Sequence, residues 1–149
     1  MMALVDDVNA TPHLDGALCR GLGALKQTDK SHLSKKRVSK LLGSIDIDKA
    51  LKPSRPNEYI WDYLVGVNVG NKTHVHWIEI HPASSSGNIA EIASKMEWLV
   101  NWMKTTPLIK YPRSIVWVAS GKSVFNSRSP ALKKLANRGL KFAGSHWVL

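Results

Sequence analysis

The stretch YIWDYLVGVNVGNKTHVHWIEIH, Tyr59–His81, decides how this chain folds. Tyr59–Val69 and Lys72–His81 are rich in β-branched and aromatic residues, and Gly70-Asn71 between them has the composition of a two-residue hairpin loop, with glycine where positive φ is needed. With Val69 facing Lys72, counting back along both strands puts Asp62 opposite Glu79. Alternation then sorts the side chains. Trp61, Tyr63, Val65, Val67, Ile78 and Ile80 form the expected core face. Ile60, Asp62, Leu64, Gly66, Val75, Trp77, Glu79 and His81 share the other, with its polar groups gathered away from the turn. Two carboxylates at roughly 5 Å repel by on the order of 3 kcal/mol at an effective dielectric of about 20. A cation would remove that cost.

Acids are scarce here, which gives the pair weight. The 149 residues carry 21 Lys and Arg against 11 Asp and Glu, a formal charge of +10. From position 60 onward the acids are Asp62, Glu79, Glu91 and Glu97 alone. Such a surplus points to a polyanionic partner, nucleic acid before an anionic membrane surface. No apolar run of about 18 residues predicts a membrane span. The opening residues, with Asp6 and Asp7, read against a signal peptide. A single cysteine, Cys19, excludes an internal disulfide and suits a reducing cytoplasm.

Residues 1–27 show no sustained period and read as a poorly ordered arm, leaving 28–149 as one domain. Ser31–Leu42 (SHLSKKRVSKLL) reads as a helix ended by Gly43, with Lys35, Lys36, Arg37 and Lys40 crowding its surface as candidate phosphate contacts. After the hairpin, Asn88 as N-cap with Glu91 three residues on opens a helix whose stripe runs from Ile89 to Met103. Ser114–Ala119 is a short buried strand, Ser129-Pro130 opens a last helix ended by Gly139, and LKFAGSHWVL closes the chain as a strand. The result is an α/β domain with a mixed sheet and the order αββαβαβ.

Two carboxylates on adjacent strands suit Mg²⁺ or Mn²⁺, hard cations that keep several waters. A polar group two residues on can orient or deprotonate water. The pattern Asp62 … Glu79-Ile80-His81 followed by a helix resembles the PD-(D/E)xK phosphodiesterase superfamily, the restriction-endonuclease-like nucleases, in which an Asp on one strand precedes Glu-x-Lys on the next. The resemblance covers Ser31 to Val148 and implies a restriction-endonuclease-like core, a Mg²⁺ or Mn²⁺ cofactor at Asp62 and Glu79, and phosphodiester hydrolysis. Two departures stand out: Trp61 replaces the proline before the Asp, and His81 stands where the family has lysine. Lys95 on the following helix, or Lys122 after the Ser114–Ala119 strand, is the candidate to supply the missing cation.

Further basic residues, among them Lys122, Arg128, Lys133 and Lys134, fall on loops or on the last helix, where they could follow a phosphate backbone. The competing readings are a non-catalytic nucleic-acid-binding module on the same fold and a toxin- or immunity-type protein docking an acidic partner. A homodimer is compatible with either. His74 and His76, with distant His146, make a weak zinc reading. Ser120-Gly121-Lys122-Ser123 lacks the earlier glycine of a P-loop, because position 116 is Val. Asp46-Ile47-Asp48 reads as a helix boundary.

Overall fold

In the computed structural model, which describes residues 3–125 and 129–149, the hairpin sits at the centre of the sheet. Strand β3 (Tyr63–Val69) and strand β4 (Lys72–His81) pair antiparallel from Val69↔Lys72 to Tyr63↔Ile78, the register that the Gly70-Asn71 turn dictates. Gly70 adopts φ +63°, which explains the glycine. Strand β2 (Ser39–Asp46) pairs antiparallel on the other side of β3, with a bulge between Leu41 and Gly43. Beyond β4, strand β5 (Arg113–Ala119) and strand β6 (Leu140–Phe142) add in parallel, giving a mixed five-stranded sheet in the order β2-β3-β4-β5-β6.

Among the described residues five α-helices complete this single α/β domain: α1 (Ala3–Asn9), α2 (Gln27–Lys30), α3 (Ile47–Leu51), α4 (Ser86–Met103) and α5 (Pro130–Asn137). The parallel crossovers β4-α4-β5 and β5-α5-β6 place α4 and α5 on one face, where Ile92, Met96, Leu99, Leu132 and Leu135 join Leu64, Val75, Trp77 and Trp117 in the larger core. On the opposite face a small parallel pair, β1 (Leu33–Ser34) with β7 (Trp147–Val148), closes Leu25, Leu33 and Leu149 over Tyr63, Val65, Val67, Ile78, Val116 and Val118. Both faces of the hairpin are therefore buried, correcting the expectation of a single core face. No helix among the described residues is long and apolar enough to cross a membrane.

Four further expectations are corrected. Ser31–Leu42 is not a helix: Ser39–Asp46 is an edge strand, and Leu41 and Leu42 go to opposite faces of the sheet, a period of two that satisfies the β3 ladder. Residues 3–27 do not form a loose arm. Leu4, Val8, Leu14 and Leu25 are buried, Leu4 lies over Gly66, and Asp7 is tied to Tyr111 by a hydrogen bond and to Lys110 at 2.7 Å. Helix α4 starts three residues early. Ser85 is its N-cap, and Asn88 is the third helical residue, its Oδ1 accepting from the Ser85 N–H at 3.1 Å. The closing strand is split, since Gly144 at φ +67° turns the chain between β6 and β7.

Candidate active site at the split end of the hairpin

The β3–β4 ladder ends at Tyr63↔Ile78, and the next two residues replace main-chain pairing with side-chain pairing. The Asp62 N–H donates to Glu79 Oε1 at 3.0 Å, and the Ile80 N–H donates to Asp62 Oδ2 at 3.0 Å. The Asp62 carbonyl accepts from the Ile47 N–H at 2.9 Å, so the chain before β3 leans toward α3. Strand β4 continues to His81 beside β5 alone, with Glu79 level with Trp117. The strands thus part at the two carboxylates. Once the strand ends, alternation ends with it, which is why Trp61 joins the helix-side core instead of the face of Tyr63.

Helix α4 crosses this end of β4. Four helical residues rise about 6 Å and two strand residues about 6.7 Å, so Glu91 and Lys95 match the spacing of His81 and Glu79. The Lys95 ammonium is hydrogen-bonded to Glu79 Oε2 and lies 3.6 Å from Asp62 Oδ1. His81 Nδ1 is 3.5 Å from Glu79 Oε2, and its Nε2 is 3.3 Å from Glu91 Oε2, out of line for a hydrogen bond. Glu79 is fully buried, while Asp62 keeps 24% of its side chain exposed.

The electrostatics follow from this enclosure. Burial, then the Glu79 charge, push the Asp62 carboxyl up to about 7 despite Lys95 and the Ile80 N–H. For Lys95, burial disfavours the ammonium, but Glu79 and then Asp62 outweigh it and hold its pKa above the usual lysine value. His81 is likewise held above the usual histidine value, chiefly by Glu79 and against its own burial. The Glu79 carboxylate thus favours the protonated imidazole over the neutral, water-deprotonating form expected of it.

Asp62 opens onto a polar cavity of about 320 Å³ lined also by Lys26, Thr28, Asp29, Asp46, Asp48, Tyr63 and Ile80. Asp46 has the helix-boundary role expected of it, accepting from the Lys49 N–H at 2.9 Å, and it also faces this cavity with Asp48. Among the described residues, no group of three His, Cys, Asp or Glu side chains is close enough to hold a metal. Asp62 and Glu79 still fit Mg²⁺ in donor type and number, since that ion takes one or two carboxylates and keeps its waters.

The other candidates lie apart. Lys122 is exposed in the loop after β5, where the Ser120 N–H donates to the His81 carbonyl at 3.2 Å. Lys35 folds back on the Ser39 carbonyl at 2.7 Å, Lys36 lines a second cavity, Arg37 is exposed ahead of β2, and Lys40 is exposed within it. Lys133 and Lys134 are exposed on α5, and Arg128 lies outside the described residues. His74 and His76 are neighbours with ring centroids 4.8 Å apart, but His146 bonds Ser34 Oγ at 2.8 Å. Glu91 and Asp48, read from the sequence only as a capping and a helix-boundary residue, lie beside the site. The i,i+4 spacing of Glu91 and Lys95, set against the i,i+2 spacing of His81 and Glu79, was the available signal for the first. Neither protein-family models, curated proteins nor solved structures match this chain.

Proposed function

We propose that the protein is a metal-dependent phosphodiesterase acting on DNA or structured RNA, with a restriction-endonuclease-like core in which Lys95 stands in for the lysine that His81 displaces. The observation that carries this reading is the Lys95 ammonium, which reaches Glu79 and Asp62 together from the helix after the motif. The split of β3 from β4 at Asp62 and Glu79, with α4 directly following, supports it.

In this reading Asp62 and Glu79 would hold Mg²⁺ or Mn²⁺, which supplies Lewis-acid activation of water and phosphoryl oxygen. Lys95 brings a permanent charge toward the phosphate that meets Asp62. His81 retains a proton and fixes the buried Glu79 carboxylate. Lys26 at the cavity and the exposed Lys122, Lys133 and Lys134 offset the acidic lining for a polyanion.

One observation favours a second reading, a basic binding module with a structural ion pair: Glu79 is fully buried, and both of its oxygens are engaged. Incubation with plasmid, single-stranded and branched DNA and hairpin RNA in Mg²⁺ or Mn²⁺ separates the two. Cleavage that falls on the order of 10²–10³-fold in Asp62→Asn and Lys95→Met supports the nuclease. Absence of cleavage, or equal cleavage by Glu79→Ala, overturns it. Salt-sensitive binding without a metal requirement then supports the binding module.

A further inference from the structure

A second cavity, larger than the one at Asp62, lies elsewhere on the sheet. It lies toward the turn end of the hairpin, on the β1–β7 face, and has a volume of about 800 Å³, within the roughly 300–1,000 Å³ of small-molecule sites. Polar groups reach its floor: Ser39, His76 and Ser114, three of the seven buried polar or charged side chains among the described residues, line it beside the buried Val67 and Leu149. Each is held in place. Ser39 Oγ donates to the Leu149 carbonyl at 3.3 Å, Ser114 Oγ and His74 Nε2 are 3.0 Å apart, and His76 Nδ1 accepts from Trp147 Nε1–H at 3.1 Å. That last bond puts the His76 proton on Nε2, leaving a donor of fixed tautomer.

The rim is apolar and cationic. Val38, Val69 and Val148, half of the exposed large apolar side chains among the described residues, line it with Trp147. Lys36, Lys72 and Lys141 surround them, no acidic residue lines the cavity, and none of these three ammoniums has an ion-pair partner among the described residues. Lys141 sits 5.6 Å from the Trp147 ring centroid. Burial foremost, then the neighbouring His74 and the charges of Lys36 and Lys141, hold His76 down at about 4, so the floor stays neutral while the rim is positive.

We propose that this cavity is a binding site for a nucleoside monophosphate, its base against Trp147 and the valines and its phosphate among Lys36, Lys72 and Lys141. A phosphate monoester carries about −1.5 to −2 charges at neutral pH and matches three ammoniums better than a single carboxylate does. The planar base matches an apolar rim over a polar floor. This site does not depend on the chemistry at Asp62 and Glu79, which sits at the other end of β3 and β4.

Isothermal titration of the full chain with AMP, adenosine and inorganic phosphate tests it. Saturable AMP binding is expected, with adenosine and phosphate each weaker by about tenfold or more. Lys36→Ala combined with Lys141→Ala weakens AMP by about tenfold or more, and so does Lys72→Glu at an exposed position outside the core. No saturation up to about 10 mM AMP overturns the proposal, as does phosphate binding as tightly as AMP or AMP affinity unmoved by Lys72→Glu.

Discussion

Lys95 and Glu79 are sixteen residues apart, one on α4 and the other on β4, yet the ammonium of the first is bonded to the carboxylate of the second. Glu79 is fully buried, so Lys95 is what keeps its charge tolerable inside the domain. Removing one partner of a buried pair costs about 3–5 kcal/mol, whereas removing both is close to neutral. Lys95→Met is therefore expected to lose about that much stability in urea denaturation, and Lys95→Met with Glu79→Gln to regain most of it. A single-variant loss below about 1 kcal/mol would show that Glu79 does not need the lysine.

Asp62 faces the opposite condition, a charge with too little compensation. Its folded pKa of about 7 lies above the ordinary 3.8, so on raising the pH the unfolded chain ionises first. The folded state then holds the extra proton between about 4 and 7, and stability falls across that window and levels off above it. Asp62→Asn keeps an oxygen for the Ile80 N–H and removes the repulsion from Glu79. It is expected to raise the melting temperature at pH 8, by an effect of about 1–2 kcal/mol, and to flatten the slope between pH 4 and 7. Mg²⁺ added at pH 8 should raise the melting temperature of the wild type and leave Asp62→Asn unmoved. Equal shifts in both would place any bound ion elsewhere.

Two of the three histidines on β4, His81 and His76, give a direct reading of these fields. Glu79 holds His81 above 6.5 against its burial, while burial takes His76 down to about 4. Imidazole resonances followed by NMR should show His81 titrating above 6.5 in the wild type. In Glu79→Gln the supporting charge is gone and the burial remains, so His81 should move to or below 6.5. His76 should stay neutral down to about pH 4 in both. A wild-type His81 midpoint below 6.5 would return it to the role of a neutral base.

The hairpin was legible because a two-residue turn and a period of two leave one register, and that register carried Asp62 to Glu79. Helix α4 was legible from its apolar stripe, and α5 from its Ser129-Pro130 start and Gly139 stop. Ser31–Leu42 was not, because serine, lysines and a terminal glycine satisfy local helix rules while Leu41 and Leu42 are claimed by opposite faces of the sheet. Propensity lost there to a ladder with β3, a partner more than twenty residues on. The site divided in the same way. The carboxylates follow from strand pairing, but the placement of Lys95 and Glu91 depends on how α4 crosses β4, an angle that no local pattern encodes. The cavity of Lys36, Lys72 and Lys141 draws on four separate stretches of chain, and no single window contains it.

The same limit hid the N-terminal helix, whose docking rests on one glycine. Gly66 lies in β3 opposite Val75, and a Cβ there would run into the Leu4 side chain of α1. Leu4 is 3% exposed, so it has little room to retreat without lifting the helix. Helix α1 is otherwise held by the buried Val8 and by Asp7. Burial works against the Asp7 carboxylate, but Lys110 and Tyr111 outweigh it and keep its pKa low. Gly66→Ala is therefore expected to cost about 1–3 kcal/mol through overpacking, and Gly66→Val more. Gly66→Ala with Leu4→Ala should recover part of that loss by making room, giving a favourable coupling in a double-mutant cycle. Hydrogen exchange should show the α1 amides losing protection in Gly66→Val before those of β4. Additive losses, with α1 protection unchanged, would mean that Leu4 does not rest on Gly66.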